Sequence, residues 1–130
     1  MSRLLLDTHV LLWWDMNDPR LSHAVSTIIK QTPEVYVSAV SALEIAIKRV
    51  IGKIQKGRDP HVVVADGGFE KLPITFEYAE AVSTLPPHHG DPFDRLLIAT
   101  AKVEGLTIVT SDTQFAQYDV PIITAGRNRG

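Results

Sequence analysis

Short runs of β-branched and other apolar residues alternate with segments of helical spacing along this 130-residue chain. That alternation constrains the fold more than any other feature. Strand, helix, strand in repetition predicts an α/β class with a central, mainly parallel sheet flanked by helices. Arg3–Asp7 reads as a strand ending in an acid, and a helix follows it through Trp14. Asn17-Asp18-Pro19 is a turn signal, and Leu21–Gln31 has helical spacing. Val35–Val37 reads as a strand and Ser41–Ile51 as a helix ended by Gly52. Asp59-Pro60 opens a further helix that Gly67-Gly68 stops. Leu72–Thr75 reads as a strand, placed near an edge by Pro73, and Phe76–Leu85 as a helix ended by Pro86-Pro87. Asp91-Pro92 opens the most regular helix, which runs to Gly105. Leu106–Thr110 is then a strand, Asp112–Gln117 a short helix and Val120–Thr124 a last strand. The expectation is a single domain over 1–125 and a disordered tail over 126–130.

A chain of this length builds a core without staples, and it holds no cysteine. Disulfides and thiolate metal sites are excluded, and a reducing compartment fits. The opening apolar stretch is interrupted by Asp7, Thr8 and His9, and no other apolar run is long enough to cross a bilayer. The expectation is a cytoplasmic protein without membrane contact. Net charge is −2. Nucleic-acid binders usually carry a basic footprint, but acids gathered at a metal site mask one, because bound cations reverse the local sign.

The distribution of acids is more informative than their sum. In open α/β sheets, ligands bind beyond the carboxyl ends of the strands. Asp7 immediately follows a strand, Asp112 follows one after a single intervening residue, and Glu44 and Asp94 fall in the first turns of helices next to strands. All four can face one edge of the sheet. Carboxylates gathered there repel one another unless a cation lies among them, and oxygen ligands favour Mg²⁺ or Mn²⁺ over zinc. Each acid also has a structural explanation. Asp7 and Asp112 fit helix N-caps. Ser41-Ala42-Leu43-Glu44 fits a capping box, with Val40 and Ile45 as its hydrophobic staple. Asp91 fits an N-cap, with Pro92 at the first helical position and Asp94 favoured by the macrodipole. Glu44 stands among apolar neighbours, which implies partial burial and a need for a partner, either Lys48 at i+4 or a metal.

Lys48, Arg49, Lys53, Lys56 and Arg58 fall within one acid-free segment. Phosphate tracking and stabilisation of a helix C-terminus explain it equally well. Arg95 is placed either to touch substrate or to pair with Asp91. His88 and His89 sit in a loop after two prolines, where solvated loop residues are the favoured reading and a metal or catalytic role the alternative. Trp13 and Trp14 are adjacent, so a narrow apolar stripe buries one and leaves the other to a partner or a second copy of the chain.

Three stretches carry a resemblance: LLLDTHVLLWW at 4–14, VSAVSALEIAIK at 37–48, and LPPHHGDPFDRLLIATA at 85–101 continued by EGLTIVTSD at 104–112. They resemble the PIN-domain ribonucleases, specifically the VapC-type toxins of toxin–antitoxin pairs. The resemblance implies a parallel five-stranded sheet and an acidic quartet at Asp7, Glu44, Asp94 and Asp112. Asp94 takes the third place rather than Asp91, because it directly precedes the helix core Leu97-Ile98-Ala99. Thr8 and Ser111 become supporting polar groups, with Asp91 in an outer position. The implied activity is hydrolysis of RNA phosphodiesters with Mg²⁺ or Mn²⁺. The implied partners are an RNA substrate, a VapB-like antitoxin and a second copy of the chain. The alternative within the same fold is a catalytically silent module that binds RNA or protein. A haloacid-dehalogenase-type phosphatase would need a second acid two residues after Asp7, and a receiver domain a lysine after a late strand; both are missing here.

Overall fold

The computed structural model describes residues 2–126. Five strands form one all-parallel sheet: β1 (Leu4–Leu6), β2 (Val35–Ser38), β3 (Glu70–Leu72), β4 (Thr107–Thr110) and β5 (Ile122–Thr124). Their spatial order is β3-β2-β1-β4-β5. Six α-helices accompany them: α1 (Thr8–Met16), α2 (His23–Gln31), α3 (Ala39–Val50), α4 (Pro60–Asp66), α5 (Phe76–Ala81) and α6 (Pro92–Glu104). Short 3-10 turns occupy Val82–Thr84 and Thr113–Gln117.

The central strand explains its own sequence. β1 pairs with β2 on one side and β4 on the other, so both its faces are covered. Leu4 and Leu6 enter the core under α1, α2 and α4, while Leu5 enters the core under α6. Each is at most 1% exposed. A parallel strand buried on both faces carries an uninterrupted apolar run, and each such leucine contributes about 2 kcal/mol of burial. The chain runs outward from β1 to β3, then returns to the far side of β1 for β4 and β5. The reversal falls between β1 and β4, where crevices open at the carboxyl edge.

Three local expectations shift. β3 spans Glu70–Leu72 rather than Leu72–Thr75, because Pro73 has no N–H for the ladder. It does lie at an edge. Helix α5 stops at Ala81 and tightens into the 3-10 turn before Leu85. The third shift concerns α3, which begins at Ala39 with Ser38 as its N-cap; the Ser38 hydroxyl accepts from the Val40 N–H at 3.0 Å. The chain offers two serine caps three residues apart, and β2 running on to Ser38 selects the first. The capping box Ser41–Glu44 and its staple are therefore not formed, and Glu44 lies in the second turn. Trp13 is buried, and Trp14 is half-buried, its ring 5.3 Å from that of Phe69. The tail expected to be disordered lies, past Gly126, outside the described residues.

The placement of the α3 cap is directly testable. Ser38→Ala is expected to lower stability by about 1 kcal/mol, read from the urea unfolding midpoint. An unchanged midpoint would mean the helix does not start there.

Candidate active site

Asp7 leaves the end of β1 and caps α1, its Oδ1 accepting from the Val10 N–H at 2.9 Å. The residue is 5% exposed. Burial raises its carboxyl above the usual range, opposed by a hydrogen bond from Thr110, the Val10 N–H and nearby His9, and reinforced by Glu44. Thr8 is buried beside it, and its hydroxyl donates to Glu44 Oε1 at 2.6 Å and lies 3.0 Å from Ser41 Oγ. Neighbouring residues at the tip of β1 thus hold one acid and reach for the next.

Glu44 is 3% exposed. With no cap to serve, its second oxygen meets Lys48 Nζ at 2.5 Å, one turn along α3. That pair, together with the fields of Asp91 and Asp94, raises the lysine's pKa despite its partial burial. Lys48 is therefore a member of the cluster, and its charge stays fixed there.

Asp91 caps α6, with Oδ1 accepting from the N–H groups of Phe93 (2.8 Å) and Asp94 (3.2 Å). Asp94 follows in the first turn. Its carboxyl is pushed up to about 7, first by burial and then by the charges of Asp91, Glu44 and Asp7, with His89 acting in the opposite direction. Asp112 caps the 3-10 turn through Gln114 N–H at 2.9 Å, and its own N–H donates to Thr110 Oγ1 at 3.0 Å. The structure thus brings Asp7, Glu44, Asp94 and Asp112 to the carboxyl edge with Asp91 and Lys48.

Two residues from outside the expected set join them. Thr110, buried at the end of β4, serves both Asp7 and Asp112. Its position opposite Asp7 follows from the β1–β4 register, in which Leu6 pairs with Val109. Ser111, the expected supporting hydroxyl, is exposed. The second residue is His89. Its Nε2 lies 3.0 Å from Asp94 Oδ2 and 3.0 Å from Asp112 Oδ2, and its ring meets Phe115 edge-on. It is not the solvated loop residue expected, whereas His88 is exposed. The double proline and Gly90 around it were the available signal for a loop that folds back.

Arg95 explains that loop. Its guanidinium donates to the carbonyls of Val82, Leu85, Pro86 and His89 at 3.0–3.2 Å. It neither pairs with Asp91 nor faces the acids; it holds the segment that carries His89.

The donor atoms suit a hard divalent cation. Those donors are carboxylate oxygens: one of Asp94 and one of Asp112 lie within 4.8 Å of each other, with the His89 nitrogen beside both. Five carboxylates stand against one ammonium, and the Asp94 carboxyl is raised by burial first and by its acidic neighbours second, a cost that a cation would relieve.

The PIN domain family matches residues 4–121, from the first residue of β1 to the residue before β5. Ribonuclease VapC22 of Mycobacterium tuberculosis is 33% identical over 131 residues, which covers 93% of this chain and 95% of that protein. Among solved structures, VapBC2 from Rickettsia felis, bound to a DNA fragment from its promoter, superposes with a TM-score of 0.71 at 13% identity, covering 95% of this chain and 98% of that one. A toxin–antitoxin complex from Klebsiella pneumoniae gives 0.68 at 19% identity, covering 96% and 99%. FitAcB from Neisseria gonorrhoeae gives 0.66 at 21% identity, covering 94% and 97%. With one residue in three identical to a VapC protein along nearly its whole length, and the family's pattern running through four of its five strands, this chain belongs to the PIN-domain family.

Proposed function

We infer that this protein is a divalent-metal-dependent endoribonuclease of the toxin type, restrained by an antitoxin. The observation that carries the reading is the set Asp7, Glu44, Asp94 and Asp112, the first two buried and the last two half-buried, gathered at one sheet edge with too little positive charge to balance it. Mg²⁺ or Mn²⁺ held by these acids would supply Lewis-acid stabilisation of the scissile phosphate and a more acidic water. The chain's own residues do the rest. N-capping holds Asp7 and Asp112 in place, Thr8 orients Glu44, and one carboxylate of the set takes the proton from the attacking water. Lys48 balances part of the charge without leaving Glu44.

A groove of about 410 Å³ supports RNA as substrate; His9, Trp13, Arg20, Arg49, Lys53 and Lys56 line it, together with Asp15 and Asp18, which are paired with Arg58 and Arg20. It starts two residues beyond Asp7. The basic segment divides there. Arg49 is occupied by the carbonyls of Gln55 and Arg58, and Arg58 by Asp15 and Asp66. Lys53 and Lys56 are exposed and form no ion pair among the described residues. Those two ammonium groups are the ones free to follow phosphates. For the antitoxin, α3 presents Leu43, Ile47, Val50 and Ile51 to solvent, an apolar stripe at helical spacing that suits an amphipathic partner segment. The second copy of the chain belongs to the same reading. No helix among the described residues is long and apolar enough to cross a membrane.

Asp94 tests the metal centre. Its folded carboxyl titrates near 7 against an ordinary 3.8. The stability linked to its proton is complete below pH 3.8 and is lost as pH rises through 7, on the order of 4 kcal/mol in metal-free protein. Asp94→Asn is expected to remove this decline and to melt no lower than the parent at pH 8 in EDTA. With Mg²⁺, the parent should gain stability and cut RNA, while Asp94→Asn should lose most of both. Melting curves and cleavage assays at pH 5 and pH 8 decide it; a variant that melts lower without metal yet still cuts places Asp94 outside the site.

Lys53→Glu combined with Lys56→Glu is expected to weaken RNA binding and to flatten the slope of log affinity against log salt by about 2. Filter binding across a salt series measures this, and unchanged slopes would remove the groove from the substrate path.

A further inference from the structure

His89 sits where two acids from separate elements meet. Asp94 belongs to the first turn of α6 and Asp112 to the turn after β4, so backbone geometry alone does not set their spacing. The imidazole does touch both, with Nε2 3.0 Å from one oxygen of each. Its other nitrogen settles which way the ring is protonated. Nδ1 accepts from the Asp91 N–H at 3.2 Å, which leaves the ring proton on Nε2, directed at the two carboxylates. The ring itself is fixed twice over. Phe115 packs against it edge-on, and Arg95 grips the carbonyl of His89 together with those of Val82, Leu85 and Pro86. Its side chain is 12% exposed, so it is held in the cluster rather than sampling solvent.

We propose that His89 is a positioning residue, whose Nε2–H bridges Asp94 and Asp112 and holds one oxygen of each together at the mouth of the acidic cluster, within 4.8 Å of each other. The proposal rests on the metal-dependent reading of the site and adds to it a donor outside the acidic quartet. The imidazole directs each carboxylate through an oxygen it shares, leaving further oxygen lone pairs for the ion, as outer hydrogen-bond partners do in metal sites. Through the Arg95 clamp, the loop 82–89 becomes part of the metal site's support. His89 does not bind the ion, because a protonated Nε2 has no lone pair to offer.

The test uses full-length protein free of antitoxin. Mg²⁺ is titrated by calorimetry into the parent, His89→Phe, which keeps the packing on Phe115, and His89→Gln, which restores an N–H at the Nε2 position. His89→Phe is expected to bind Mg²⁺ roughly 10- to 100-fold more weakly, and His89→Gln to recover most of the loss. Long-range ¹H–¹⁵N spectra of the parent are expected to show His89 protonated at Nε2 and bare at Nδ1, both without and with Mg²⁺. Equal affinity in the parent and His89→Phe overturns the proposal alone. Loss of the Nε2 proton on adding Mg²⁺ also overturns it, since His89 is then a ligand. A parent that binds no Mg²⁺ overturns the metal reading and this proposal together. Should His89→Phe not fold, the parent's spectra decide.

Discussion

The burial of Asp7 is the constraint on which the rest of the site depends. Three leucines make β1 the most enclosed strand of the sheet, and the chain continues from Leu6 to Asp7 without a break. A carboxylate carried that far inward is costly unless hydrogen bonds meet it. The Val10 N–H and Thr110 hydroxyl do so, from the first turn of α1 and the end of β4. Thr8, the next residue, then ties Glu44 of α3 to the same point. One strand end thereby gathers α1, α3 and β4 around a pair of acids, and the other acids enter a region that is already negative.

Much of this was legible in the sequence, and the reason is local. Period and punctuation mark each helix and strand: Asp91-Pro92 and Gly105 bound α6 as written, and Gly105 closes it in the left-handed conformation that favours glycine, at φ 69°. The acids were legible because each stands at an element boundary. What failed were choices between two local solutions that the tertiary fold decides. Ser38 and Ser41 are equally good caps, and the length of β2 chose between them. Thr110 acquires its role only from the register of β1 against β4. His89 and Arg95 are separated by five residues in sequence, and no periodicity announces that one carries the loop and the other clamps it.

The misplaced cap has a consequence for Glu44. In a capping box it would have been a surface carboxylate with a structural duty. One turn further in, it is a buried acid whose partners are Thr8 and Lys48. A buried pair of this kind is poor evidence for stability, because desolvation of both charges offsets their attraction. Its energetic return to the fold is therefore small, and under the metal-dependent reading its charge would serve the site beside Asp7.

Helix capping and metal binding are usually weighed as rival explanations for such acids, yet here the two are compatible and one assists the other. Asp7, Asp91 and Asp112 each give Oδ1 to a backbone N–H at the start of a helical segment. A carboxylate has two oxygens, and tethering one orients the other. For Asp112 that second oxygen is the one facing His89. The positive end of each helical segment also favours the ionised form. Asp94 differs: it is no cap, it lies within the field of three other carboxylates, and its own carboxyl is the one pushed up to about 7. Capping thus supplies rigid oxygens, while the cost of burial falls on Asp7 and that of burial and crowding together on Asp94. A cation at this edge would relieve both, so the carboxylates that burial and crowding make costly are the ones a divalent ion would favour most.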